Sequence, residues 1–115
     1  MLPKNRRISR KEFGHILGNS KRHNSPSLLL YIAINNSNRS SLSKFSFSVS
    51  KKVCKMAVGR NRLRRLGYSV VSKKLPLIKD GFLLLFVFKK DSLNLDYIKL
   101  HKEIQGLLSD SGMLV

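Results

Sequence analysis

Apolar and polar residues alternate strictly from Lys44 to Ser50, KFSFSVS. Phe45, Phe47 and Val49 fall on one side and Ser46, Ser48 and Ser50 on the other, the two-residue period of a strand with one covered and one open face. LLLYIAI (28–34) reads as another strand, bounded by Pro26 and by a polar loop from Asn35 to Ser43. FLLLFVF (82–88), entered through the Asp80-Gly81 turn, is apolar on both sides and predicts a strand covered on both faces. Helical spacing appears in three places. Ser9 and Glu12 form a capping-box pattern, Ile8 and Phe13 a hydrophobic staple, and Phe13, Ile16 and Leu17 an apolar face, so a first helix is predicted over 9–21. Ala57, Leu63, Leu66 and Val70 predict a second over 55–74, ended by Pro76, although Gly59 and Gly67 each cost it about 1 kcal/mol. Leu95, Ile98, Ile104, Leu107 and Leu108 predict a third over 94–109. The residues thus give the order αββαβα, an α+β fold with helices packed on a small sheet. Strands 28–34 and 44–50 are expected to pair as a hairpin.

The alternation also divides the sheet surface. If Leu28, Leu30, Ile32 and Ile34 join Phe45, Phe47 and Val49 in the core, then Leu29, Tyr31 and Ala33 share the other face with Ser46, Ser48 and Ser50. Flanked by Phe13 and Leu17 of the first helix, that face is a trough of aromatic platforms and hydroxyl groups, suited to single-stranded nucleic acid. A second reading stands beside it: Phe13 and Leu17 are ordinary core and Tyr31 lies at its rim.

Charge sharpens the picture. The 115 residues carry 23 Lys and Arg against 6 Asp and Glu, a net +17. Residues 1–74 hold 18 of the bases with one acid, Glu12, while residues 75–115 hold five of each. One sign concentrated in this way recruits a polyanion, and in a small domain the first candidate is nucleic acid. The density peaks in KKVCKMAVGRNRLRR (51–65), where Arg60, Arg62, Arg64 and Arg65 fall within six residues and no acid occurs from 13 to 79 to neutralise them. Arginine grips phosphate through a planar fork. Adsorption to a membrane is disfavoured because the apolar side of this helix is needed for the core.

The remaining composition narrows the class. The length fits one domain spanning 1–115, able to bury roughly 65% of its unfolded surface. The longest apolar stretches are seven residues, against roughly 20 for a bilayer span, and no apolar run follows the N-terminal bases as in a secretory signal. The lone Cys54 excludes an internal disulfide, pointing to a reducing, cytoplasmic setting, and with no general base beside it reads as an inert thiol. The six acids are scattered, and His15, His23 and His101 have no metal-ligand spacing with one another or with Cys54. The chain therefore offers no catalytic residue and no metal site of its own.

FSVSKKV (47–53) followed by RNRLRRL (60–66) resembles the signature of the protein subunit of bacterial ribonuclease P, with the basic N-terminal run leading to Phe13 and the strand bearing Tyr31 also similar. The likeness extends over about residues 3–109. It implies a ribosomal-protein-like αβββαβα fold with a left-handed βαβ crossover through the second helix, the extra strand arising by division of one of the two read above. It also implies that catalysis, with Mg²⁺, resides in a partner RNA and that the chain alone is inactive. Transferred by position, Lys51, Lys52, Lys55, Arg60, Asn61, Arg62, Arg64 and Arg65 bind the catalytic RNA. Phe13, Leu17, Tyr31, Ser48 and Ser50 line a cleft for the 5′ leader of precursor tRNA, and no protein oligomer is required. Four departures from the pattern are visible. Cys54 stands where glycine is usual, Gly59 where a larger residue precedes the motif, and Leu17 where a second aromatic is frequent. Gly67-Tyr68 interrupts the charged continuation, implying a shortened RNA-binding helix.

Overall fold

The computed structural model describes residues 2–35, 42–90 and 95–115. Helix α1 (Arg10–Asn19) begins where the capping box directs: Glu12 N–H donates to Ser9 Oγ at 3.2 Å and Ser9 N–H to Glu12 Oε1 at 2.9 Å. It stops short of residue 21, and the polar run KRHN becomes strand β1 (Lys21–Asn24). Then follow β2 (Leu28–Ile34), β3 (Lys44–Ser48), helix α2 (Ala57–Lys74), β4 (Phe82–Phe88) and helix α3 (Tyr97–Asp110). The order is αβββαβα. The extra strand is not a division of 28–34 or 44–50. It is an exposed edge strand whose side chains carry no apolar alternation, and only its backbone pairing with β2 defines it.

Strand order across the sheet is β1-β2-β4-β3. The expected hairpin of β2 with β3 does not form, because β4 lies between them, antiparallel to β2 and parallel to β3. A parallel pair cannot close through a tight turn and needs a long crossover, which α2 supplies. The central position also suits FLLLFVF, whose two apolar faces both demand cover: Leu84, Phe86 and Phe88 enter the main core, and Leu83 and Leu85 a second one. The main core joins one sheet face to α2 and α3 through Leu28, Leu30, Phe45, Phe47, Val70, Val71, Leu100, Ile104 and Leu108. The smaller one seats α1 on the opposite face through Ile16, Ala33, Leu83 and Leu85, with Ile8, Tyr31 and Val87 beside it.

Three expected core residues stay outside it. Ile34 at the end of β2 is 60% exposed, Ile98 on the outer side of α3 is 66% exposed, and Ala57 at the start of α2 is exposed. Residues 36–41 of the predicted loop, Asp91, and the predicted start of the third helix at residue 94 lie outside the described residues. In α2, Gly67 does not shorten the helix, which continues to Lys74. A Cβ at Gly67 would lie 2.4 Å from the Phe47 ring, so this glycine is what lets α2 sit directly on β3.

Candidate RNA interface

Two surfaces carry the predicted residues, on opposite faces of the sheet. The first belongs to α2 and the turn leading into it. The turn starts at Ser50, whose carbonyl accepts from the N–H groups of Val53 and Cys54 at 3.1 Å each. It leaves Lys51, Lys52 and Lys55 exposed. Leu63, Gly67, Tyr68, Val70 and Val71 turn inward, so the helical period directs Asn61, Arg62 and Arg65 outward, where all three are exposed. Arg64, half-buried, donates to Asn61 Oδ1, and these two line an open hollow with Val58 and Arg65.

Arg60 differs from its neighbours. Its Nη1 donates to the carbonyls of Cys54 and Lys55 at 2.9 and 2.8 Å, tying the helix start to the preceding turn. Residue 56, the N-cap, supplies no side-chain cap, so this guanidinium clamp stabilises an otherwise bare junction. The departures at Cys54 and Gly59 meet here. A Cβ added to Gly59 would lie 2.4 Å from Cys54 Sγ, so the thiol fills the room that a larger residue before the motif would need. Each substitution accommodates the other. Met56 and Val58, 70% and 73% exposed, bring apolar surface into the basic patch. Sequence reasoning missed them, although two apolar residues ahead of the helix's first inward position were the available signal.

The second surface is the open sheet face. Directly opposed residues of neighbouring strands share a face, which fixes its rows: Tyr31 beside Leu85 beside Ser46, and Leu29 beside Val87 beside Ser48. Tyr31, Leu29, Val87, Ser46 and Ser48 are half-buried, whereas Leu85, between Tyr31 and Ser46, is buried in the smaller core with Ile16 of α1. Phe13 and Leu17 on α1 are 37% and 71% exposed, so neither is the core residue of the second reading, although Tyr31 does lie at the rim of the smaller core as that reading has it; Ile16 alone anchors the helix from that stretch. Ser50 lies beyond β3, exposed in the turn, outside these rows.

One ion pair holds α1 against the sheet. Lys44 Nζ on β3 reaches Glu12 Oε2 at 2.9 Å and Oε1 at 3.2 Å. Burial pushes the Glu12 carboxyl up, but hydrogen bonds from Ser9 and the Lys44 ammonium outweigh it and hold the group below its ordinary value. Among the described residues no three His, Cys, Asp or Glu side chains gather to hold a metal ion, and no helix is long and apolar enough to cross a membrane.

A mixed sheet with an arginine-rich helix on one side and a hydroxyl-lined open face on the other defines an RNA-binding protein of the α+β class. The ribonuclease P family model matches residues 2–111, and the chain belongs to that family, the protein components of an endoribonuclease complex. It is 30% identical over 114 residues to the ribonuclease P protein component of Synechocystis, covering 98% of this chain and 90% of that one. Against the component from Clostridium botulinum the identity is 34% over 115 residues, covering 97% and 98%. The ribonuclease P protein of Staphylococcus aureus superposes with a TM-score of 0.84 at 16% identity, over 96% of this chain and 98% of that one. That of Thermotoga maritima gives 0.80 at 19%, over 90% and 96%. These two likenesses establish the fold.

Proposed function

We propose that this chain binds the catalytic RNA of ribonuclease P through α2 and its entry turn, and the 5′ leader of precursor tRNA on the open sheet face. Lys51, Lys52, Lys55, Arg62, Arg64 and Arg65 supply phosphate contacts, Asn61 a polar group beside them, and Arg60 both a contact and the clamp on the helix start. Phe13, Leu17, Tyr31 and Ser48 take the leader, its bases on the apolar and aromatic groups and its sugar-phosphate edge near the hydroxyls. Hydrolysis is the work of the RNA and the Mg²⁺ it holds; the protein raises affinity for substrates that carry a leader. The chain is then a cytoplasmic subunit of the complex, with no protein oligomer required.

The observation that carries this reading is the separation of the two surfaces. α2 packs on one sheet face through the main core, while Tyr31 and the serine rows lie on the other. One protein can therefore hold a folded RNA and a single strand together. Reconstitution tests it: purified chain, the matching catalytic RNA and precursor tRNA are combined at low Mg²⁺. Cleavage is expected only with both subunits present. Cleavage by repurified protein free of RNA would overturn the assignment of catalysis, and RNA activity indifferent to the protein would overturn the assignment of assistance.

A further inference from the structure

The leader residues inferred from the resemblance include no cation, yet a single strand brings a phosphate with every nucleotide. The register supplies one. Arg22 of β1 stands directly opposite Tyr31 of β2, and Asn24 opposite Leu29, so both lie on the face that carries Tyr31, at its outer edge. The row Asn24, Leu29, Val87, Ser48 has no fully buried member, whereas the row of Arg22 and Tyr31 ends against Leu85, which is buried with Ile16 of α1. Arg22 and Asn24 are exposed, and Arg22 engages no hydrogen bond or ion pair among the described residues. No acid occupies either row. Glu12, the acid of the helix that packs on this face, is bound to Lys44 and Ser9. Neighbouring strands are about 4.8 Å apart, so a base seated on the Tyr31 ring brings the phosphate of the adjoining nucleotide within the reach of the Arg22 side chain.

We propose that Arg22 is a phosphate-binding residue for single-stranded RNA, and that the outer edge of β1 is where a strand crossing the sheet face leaves the protein. The proposal rests on the cleft reading above and deepens it. Its ligand is a phosphodiester of single-stranded RNA, from either the leader or an unpaired segment of the catalytic RNA, with the leader favoured because Arg22 adjoins Tyr31 rather than α2. Substitution on an exposed edge position with no partner leaves the core intact, so Arg22→Ala should fold as the parent does.

The test uses the reconstituted holoenzyme and precursor tRNAs with a leader of several nucleotides or of one, with Tyr31→Ala as companion. Arg22→Ala is expected to weaken binding of the long-leader substrate about 3- to 10-fold. It should also reduce the slope of log affinity against log salt by about 0.7, the value for one contact to a single strand. Tyr31→Ala should lower affinity without changing that slope. Arg22→Lys should keep most of the binding, and the one-nucleotide substrate should respond to neither change. Parental affinity and slope for Arg22→Ala, with Tyr31→Ala still leader-dependent, would overturn the role of Arg22 and leave the cleft standing. Weakened holoenzyme assembly, or equal loss for both leaders, would assign Arg22 to the catalytic RNA and overturn its assignment to the leader. Leader-independent behaviour of Tyr31→Ala as well would remove the cleft itself.

Discussion

Arg60 and Arg62 are two residues apart in one motif and do different work. Arg60 spends Nη1 on the carbonyls of Cys54 and Lys55, whereas Arg62 is exposed. Arg62→Ala should therefore lower the salt slope of binding to the catalytic RNA by about 0.9 for a contact to duplex, with little change in stability. Arg60→Ala should in addition lower the melting temperature, because two carbonyls at the helix start lose their donor. Equal melting points for the two variants would show the clamp to be idle. Cys54 and Gly59 make a second comparison at this scale. Gly59→Ala would place a Cβ 2.4 Å from Cys54 Sγ, so the thiol must turn aside, and an overpacking cost of about 1–3 kcal/mol is offset in part by the gain of about 1 kcal/mol from alanine in a helix. Adding Cys54→Gly should recover most of that loss, since it empties the contested space; a double variant no better than Gly59→Ala alone would show the two sites to be independent. Both positions were visible in the sequence as departures from a pattern. Their compensation was not, because the four residues between them give no hint that the turn folds the thiol back onto the helix.

At the scale of elements, α1 and α2 are each fixed by a contact that periodicity does not report. The capping box that starts α1 was legible in Ser9 and Glu12, but the reach of Glu12 to Lys44 spans 32 residues and required the strand order. Because the Glu12 carboxyl titrates below its ordinary value in the folded chain, its contribution to stability is complete above the unfolded value, about 4.3, and is lost as pH falls through the lower folded one. Melting temperature should fall on acidification below about pH 5, and Glu12→Gln should flatten that fall; an unchanged acid limb would place the pH dependence elsewhere. Gly67 reverses its apparent meaning between sequence and structure. As a helix residue it costs about 1 kcal/mol, which alanine would restore, but a Cβ there meets the Phe47 ring. That ring cannot retreat, stacked on Phe86 at 4.8 Å and edge-on to Tyr68 at 5.0 Å. Clash outweighs propensity, so Gly67→Ala should lower the melting temperature, and a rise would show that Phe47 yields. β1 was unreadable for a related reason: an edge strand with exposed side chains is specified by its neighbour's backbone, not by its own pattern. Strand order was better advertised than it was read, since FLLLFVF is the strand that needs cover on both faces and so belongs at the centre.

For the molecule as a whole, the sheet separates the two surfaces, so that a folded RNA on α2 and a single strand beside Tyr31 do not compete for one site. Charge and the arginine block made the α2 surface legible directly, because residues 13–79 hold no acid to neutralise them. The open face was legible as an alternation, but whether α1 buried Phe13 and Leu17 depended on Ile16 anchoring the helix instead, which spacing alone left undecided. The most direct measurement is affinity of the reconstituted holoenzyme for precursor tRNA as a function of leader length, compared for Tyr31→Ala, Tyr31→Phe and the Arg62→Ala, Arg65→Ala pair. Base–aromatic stacking is worth about 1–3 kcal/mol, so Tyr31→Ala should lose about 5- to 100-fold for a leader of several nucleotides and little for a single one, with assembly unchanged. Tyr31→Phe, which keeps the ring, should lose far less, and the arginine pair should weaken assembly whatever the leader. A Tyr31→Ala loss equal for long and short leaders, or one explained by a collapse in thermal stability, would show that Tyr31 is simply core and that this face holds no leader.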